Sequence, residues 1–174
     1  AWCACQAPGF QNDGVTLRGP VGVPEVRGLV HRPKQATGLK ACYLHIHGGG
    51  YIVGSPEISE LRNMIYAAEL NCLVVSVDYR LAPETIFPGA VEDCYAALNW
   101  IYKNADEWGV DRSRIAIGGE SAGGGLAAAL GLLTRDRGEI LLAHQQLIYP
   151  MIDDRPSADP HAFTGEFIWN RSAN

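Results

Sequence analysis

The chain has 174 residues, 47% of them hydrophobic and 19% charged, ordinary proportions for one globular domain with a proper core. A net charge of −5 with no basic run excludes nucleic acid and an anionic membrane surface as main partners. No apolar run is long enough to cross a bilayer. The five cysteines, Cys3, Cys5, Cys42, Cys72 and Cys94, are odd in number and sit mostly singly in apolar runs. They read as reduced core thiols of a cytoplasmic protein, not as a disulfide framework. Cys3 and Cys5 lack a second Cys or His pair at zinc-site spacing, so no metal is expected.

Residues 1–13 show no period and are assigned no regular structure. Residues 15–18 and 26–30 alternate weakly across a Gly19-Pro20 turn, which predicts an antiparallel pair at the outer edge of a sheet. Residues 40–47 form a central strand that runs into Gly48-Gly49-Gly50-Tyr51. A helix follows over about 58–70, with Ile58, Leu61, Met64, Ile65 and Ala68 on its inner face. The β-branched run 72–77 has the continuous hydrophobicity of a strand buried on both sides. Val91, Cys94, Tyr95, Leu98, Ile101 and Tyr102 recur at three and four, predicting a long helix over 89–105 that exits at Gly109. After the strand and helix around Ser121, Arg137-Gly138 is a stop and 144–150 one more strand. Strand and helix alternate through the middle of the chain, which implies a mainly parallel sheet with helices on both faces.

The stretch Arg114-Ile115-Ala116-Ile117-Gly118-Gly119-Glu120-Ser121-Ala122-Gly123-Gly124-Gly125-Leu126 is the centre of this pattern. An apolar run ends in glycines, turns on a serine and continues as a helix. Gly119-x-Ser121-x-Gly123 has the form of a nucleophile elbow, whose sharp strand-to-helix turn pushes the serine oxygen out of the sheet edge. Glycine is needed at 119 and 123 because a Cβ there would collide with the turn or the packed helix. Ala122 opens that helix, whose unpaired amides and dipole favour the anion that develops on a carbonyl oxygen when an ester is attacked. A glycine-rich turn with a serine also occurs in proteins that catalyse nothing, so the pentapeptide gains weight only from its surroundings.

Those surroundings include a second cluster, His47-Gly48-Gly49-Gly50, which also ends a strand. Both clusters therefore fall at the carboxyl edge of one sheet, where sites of open α/β folds gather. Taken in order, His47-Gly48-Gly49-Gly50-Tyr51, Asp78-Tyr79-Arg80-Leu81-Ala82-Pro83-Glu84 and Gly119-Glu120-Ser121-Ala122-Gly123-Gly124 resemble the bacterial hormone-sensitive-lipase-like esterases of the α/β-hydrolase superfamily. Phe87-Pro88-Gly89-Ala90-Val91-Glu92-Asp93 matches that family's pattern too, and the resemblance covers residues 26–154.

The resemblance implies an α/β-hydrolase fold, here a single partial domain over 1–174 that is truncated after the sixth strand, with 156–174 as the start of a cap insertion. It implies Ser121 as nucleophile, with the amides of Gly49, Gly50 and Ala122 as oxyanion hole, the donors that the elbow motif itself also requires. His47 braces the glycine loop; the competing role, general base, conflicts with the usual chain order of serine, acid, histidine. Gly48, Gly119 and Gly123 support the turn geometry, and Tyr51 and Glu120 are candidate pocket residues. His45 and His47 share a strand face but have no third metal ligand, so they read as a satisfied structural pair. The loop 78–84 either supports the site through Arg80 or Glu84 or simply returns the chain to its helix. One or both of Ala82-Pro83 and Phe87-Pro88 are expected to be cis.

The family places its acid and histidine after later strands than this chain contains. Asp153, Asp154 and His161 lie downstream of Ser121, but no strand pair separates them. The expected function is a carboxylesterase acting on short-acyl esters by an acyl-enzyme route, present here without acid and histidine, with no cofactor and a small-molecule ester as partner. Phe163, Phe167 and Trp169 are candidate pocket-wall residues. The open strand edge around Leu147 leaves room for a homodimer. The other reading is a hydrolase-like domain that binds an ester without turning it over.

Overall fold

The structure, a computed structural model, describes residues 10–17, 25–33 and 38–153. They form one sheet of six strands in the order β1-β2-β4-β3-β5-β6. The strands are β1 (Phe10–Leu17), β2 (Val26–Pro33), β3 (Lys40–Ile46), β4 (Leu73–Asp78), β5 (Val110–Glu120) and β6 (His144–Ile148). β1 and β2 pair antiparallel at one edge, β2 joins β4 antiparallel, and β4, β3, β5 and β6 run parallel. The antiparallel edge pair is thus where the weak alternation placed it. Its first strand begins at Phe10, however, inside the stretch expected to be irregular. The reason is cross-strand pairing: Phe10 to Asp13 face Pro33 to Val30 in the ladder, and this partner supplies the order that the local pattern lacks.

The central parallel strands β3 and β4 bury both faces, whereas the edge strand β6 is largely exposed, and alternate residues go to opposite sides. Cys42, Leu44, Ile46, Leu73, Val75, Val77, Ile115 and Ile117 meet α2 (Gly89–Lys103), the short α3 (Ala105–Trp108) and α4 (Ala122–Arg137) in one apolar core. Tyr43 and Val74 point the other way, towards Ala67 of α1 (Glu60–Glu69). Helices therefore lie on both faces.

The predicted inner face of α1 is overturned. A 3-10 turn, Pro56–Ser59, leads into the helix, and Ile58, Leu61 and Ile65 are exposed at 71%, 73% and 49%. Asn63, Met64 and Ala67 are the buried helical residues. The physical reason lies beneath the helix, where the sheet presents the buried His45 and Ser76 beside the apolar Tyr43 and Val74. A mixed bed selects the face of the helix that brings Asn63 to the polar part and Ala67 to the apolar part.

Other boundaries shift for local reasons. Gly109 at φ 64 ends α3, its carbonyl accepts from the Lys40 amide at 2.9 Å, and β5 begins at once with Val110, earlier than its apolar run. Gly138 at φ 68 ends α4 as the Arg137-Gly138 stop predicts. Ala82-Pro83 and Phe87-Pro88 are both cis, as expected. Residues 156–174, where a cap is expected to start, lie outside the described residues, as do Asp154, His161, Phe163, Phe167 and Trp169.

Candidate active site

Ser121 sits between the last residue of β5 and the first of α4, at φ 55 and ψ −120. This is the strained turn that the elbow motif demands of a residue other than glycine. The turn is held at both ends by backbone. The Ser121 amide donates to the Ile148 carbonyl at 3.0 Å, and its carbonyl accepts from the amides of Gly125 and Met151, each at 3.0 Å. Its side chain does not cap the helix, which leaves the hydroxyl to solvent-side chemistry.

The flanking glycines are explained by what lies against them. A Cβ on Gly119 would strike the Ile46 carbonyl oxygen and the backbone of Gly123, and one on Gly123 would strike the carbonyls of Ile46 and His47. β3, β5 and α4 meet backbone to backbone at this point, so no side chain fits.

The glycine loop arrives from β3 on the same edge. A Cβ built on Gly48 would lie 3.5 Å from the Ser121 Cβ, so the two clusters adjoin as their positions at strand ends require. Gly49 has φ 125, Gly50 φ 60 and Tyr51 φ 66. This left-handed run is closed by the amides of Ile52 and Val53, both donating to the Gly49 carbonyl at 3.1 and 3.0 Å. Among the described residues, none of the backbone hydrogen bonds that join turns and loops uses the Gly49, Gly50 or Ala122 amide as donor. Donors left unused beside a serine are the raw material of an oxyanion hole.

His47 lies beneath this loop, fully buried. Its ring stacks on Tyr79 at 4.3 Å, its Nδ1 donates to the Gly48 carbonyl at 2.7 Å, and the Tyr79 hydroxyl donates to the His47 carbonyl at 2.9 Å. Burial lowers the His47 pKa, outweighing the opposing effect of the Gly48 bond, so the ring is neutral at pH 7. No hydrogen bond joins it to Ser121 among the described residues. The geometry suits a brace. Tyr79 belongs to the loop 78–84, and its neighbour Arg80 holds the buried Asp93 of α2 with its amide and two guanidinium nitrogens at 2.8 to 2.9 Å. Of the two readings of that loop, the structure therefore favours support, through Arg80 and not Glu84.

Glu120, a candidate pocket residue, turns towards α1 and its 3-10 entry instead. Its carboxylate accepts from Arg62 at 2.7 Å and from Ser59 at 3.0 Å, and lies 3.1 Å from Nε2 of His45. Nδ1 of His45 is met by Ser76 at 2.9 Å and Asn63 at 3.2 Å. Arg62 also comes within 2.9 Å of Nε2 of His45, so that ring nitrogen is shared between a donor and a carboxylate. Burial pushes the Glu120 pKa up, but the bonds from His45 and Arg62 more than offset it and leave it at about 2. His45 and His47 are accordingly not a pair: each belongs to a different network. A polar residue inside an apolar strand (Ser76) and an Asn inside a helix (Asn63) were the sequence signals for the first of these.

Tyr51 does border the cavity, an apolar recess of about 470 Å³ walled by Ala82, Ile86, Phe87, Val91 and Leu126. Among the described residues no group of His, Cys, Asp or Glu could hold a metal ion, and no helix is long and apolar enough to cross a membrane.

A six-stranded, mainly parallel sheet with a strained serine at the β5–α4 turn beside a glycine loop defines an α/β-hydrolase. Comparison with known proteins agrees: residues 43–174 match the family described as alpha/beta hydrolase fold, and the chain belongs to that family. It is 46% identical over 109 residues to an arylesterase of Saccharolobus solfataricus, an alignment covering 63% of this chain and 35% of that protein. It is 39% identical over 129 residues to the carboxylesterase NlhH of Mycobacterium tuberculosis, covering 74% of this chain and 40% of the relative. Among solved structures, a bacterial heroin esterase superposes with a TM-score of 0.83 at 47% identity, over 85% of this chain and 47% of its own. The chain thus spans less than half the length of these relatives.

Proposed function

We propose that this chain is the N-terminal and central part of a serine carboxylesterase that cleaves short-acyl esters through an acyl-enzyme intermediate. The observation that carries the reading is Ser121 at φ 55 on the strand end, with the Gly48–Gly50 loop against it. Relatives named as arylesterase, carboxylesterase and heroin esterase support it. In this reading the Ser121 hydroxyl attacks the ester carbonyl and its proton passes to a histidine base. The amides of Gly49, Gly50 and Ala122 hold the carbonyl oxygen as it becomes an anion, and the alcohol leaves with the proton from the histidine. Water then repeats the attack on the acyl-serine. The apolar recess beside Tyr51 takes the non-reacting part of the ester.

The test is to assay the 174-residue chain and the full-length protein on p-nitrophenyl acetate, with Ser121→Ala as the blank. The full-length protein should turn over, and the short chain should fall below it by about 10⁴-fold or more, the usual cost of a missing triad member. Comparable rates would revive Asp153 or Asp154 with His161 as a local triad. A full-length protein with no turnover above the blank would favour a binding domain.

A further inference from the structure

We propose that Tyr51 is a positioning residue of this site: its phenol fastens the glycine loop to the segment that holds the Ser121 backbone, keeping oxyanion donors and serine in register. The inference rests on the esterase reading above. Tyr51 directly follows Gly50 and stands at φ 66, a conformation uncommon for a residue with a side chain. Its carbonyl accepts from the Ala82 amide at 2.9 Å. Its hydroxyl donates to the Met151 carbonyl at 2.9 Å. The Met151 amide in turn donates to the Ser121 carbonyl at 3.0 Å. One residue thereby links three segments, the loop after β3 to the loop after β4 through its carbonyl and to the chain after β6 that clamps the elbow through its phenol.

Gly125 is a second and independent observation. It is the third glycine in succession in α4, one residue past the motif shared with the resembling family, and glycine weakens a helix. Gly123 is explained by the Ile46 and His47 carbonyls and Gly124 by Pro150, whose Cα would lie 3.0 Å from a Cβ there. A Cβ on Gly125 would strike two atoms, the Tyr51 hydroxyl and the Met151 carbonyl oxygen. These are the two partners of the bond just described. Gly125 is therefore the space through which the tie passes.

Burial raises the Tyr51 pKa, so the phenol keeps its proton at neutral pH and remains a donor. Tyr51→Phe preserves the ring that walls the recess and removes only the tie. Small misplacement between a nucleophile and oxyanion donors acts on the transition state more than on substrate binding, so the loss belongs to kcat.

The experiment uses the full-length protein and p-nitrophenyl acetate, with Tyr51→Phe, Gly125→Ala and the double variant, alongside amide hydrogen exchange of the segment 148–153. Expected are a kcat loss of about tenfold in each single variant with KM within twofold, and a double variant about as slow as the slower single. Exchange of 148–153 should quicken in Tyr51→Phe. Unchanged kcat and unchanged exchange in Tyr51→Phe, a loss carried by KM, or losses that multiply in the double variant would overturn the proposal. Wild-type protein without turnover above Ser121→Ala would remove the esterase reading, while faster exchange in Tyr51→Phe would still uphold the tie and unchanged exchange would remove both. If Gly125→Ala does not fold, the kinetic split and the exchange of Tyr51→Phe decide.

Discussion

The two faces of the sheet hold the serine turn in different ways. On the α2 and α4 side the fit is steric: Gly119 and Gly123 let the carbonyls of Ile46 and His47 approach a helix with nothing between, over the larger apolar core. On the α1 side it is electrostatic: Glu120, the residue before the serine, is clasped by Arg62, Ser59 and His45, with Ser76 and Asn63 completing the cluster. Steric fit tolerates no added atom, whereas a buried polar cluster depends on charge and pH. Substitutions on the two faces should therefore fail differently.

Gly123→Ala should have the largest effect. The new methyl meets two carbonyls that belong to β3 and its exit, so the backbone must move, at a cost of about 3 kcal/mol or more. Urea unfolding would show this, and a loss below about 1 kcal/mol would mean that the contact relaxes freely. Glu120→Gln comes next, at about 2 kcal/mol, because hydrogen bonds to a charged, mostly buried partner are weakened without any change of shape.

The same residue sets a pH dependence. Its pKa is held at about 2 in the fold against an ordinary 4.5. Its stabilising contribution is thus complete above about pH 4.5 and is lost as the pH falls through about 2. Thermal unfolding across that window should be less steep in pH for Glu120→Gln than for the parent. The smallest effect is expected on the outer side of α1, where Leu61→Lys should change stability by less than about 0.5 kcal/mol because Leu61 is 73% exposed. A large loss there would restore the inner face that the periodicity predicted.

The steric half of this comparison was legible in the sequence and the electrostatic half largely was not. Glycines punctuate a chain, and both Gly48–Gly50 and Gly119–Gly123 announce backbone that must approach backbone. The strand order is not written locally. β3 lies between β4 and β5 because crossovers pass over the sheet, a tertiary choice. Leu61 and Ile65 misled because helical periodicity shows that one face is apolar without showing what the sheet offers beneath it. The pairing of Arg80 with Asp93 spans two elements and has no spacing signature. Gly125 stood in plain sight, yet its reason required the position of the Tyr51 hydroxyl.

The central claim is that Ser121 is a nucleophile presented by its turn. The direct measurement is to treat the full-length protein with a fluorophosphonate and map the product by mass spectrometry. The account predicts one phosphonyl group on the tryptic peptide 115–135, located at Ser121, and no adduct in Ser121→Ala. An unlabelled protein that is folded, or a label on any other residue, would contradict it.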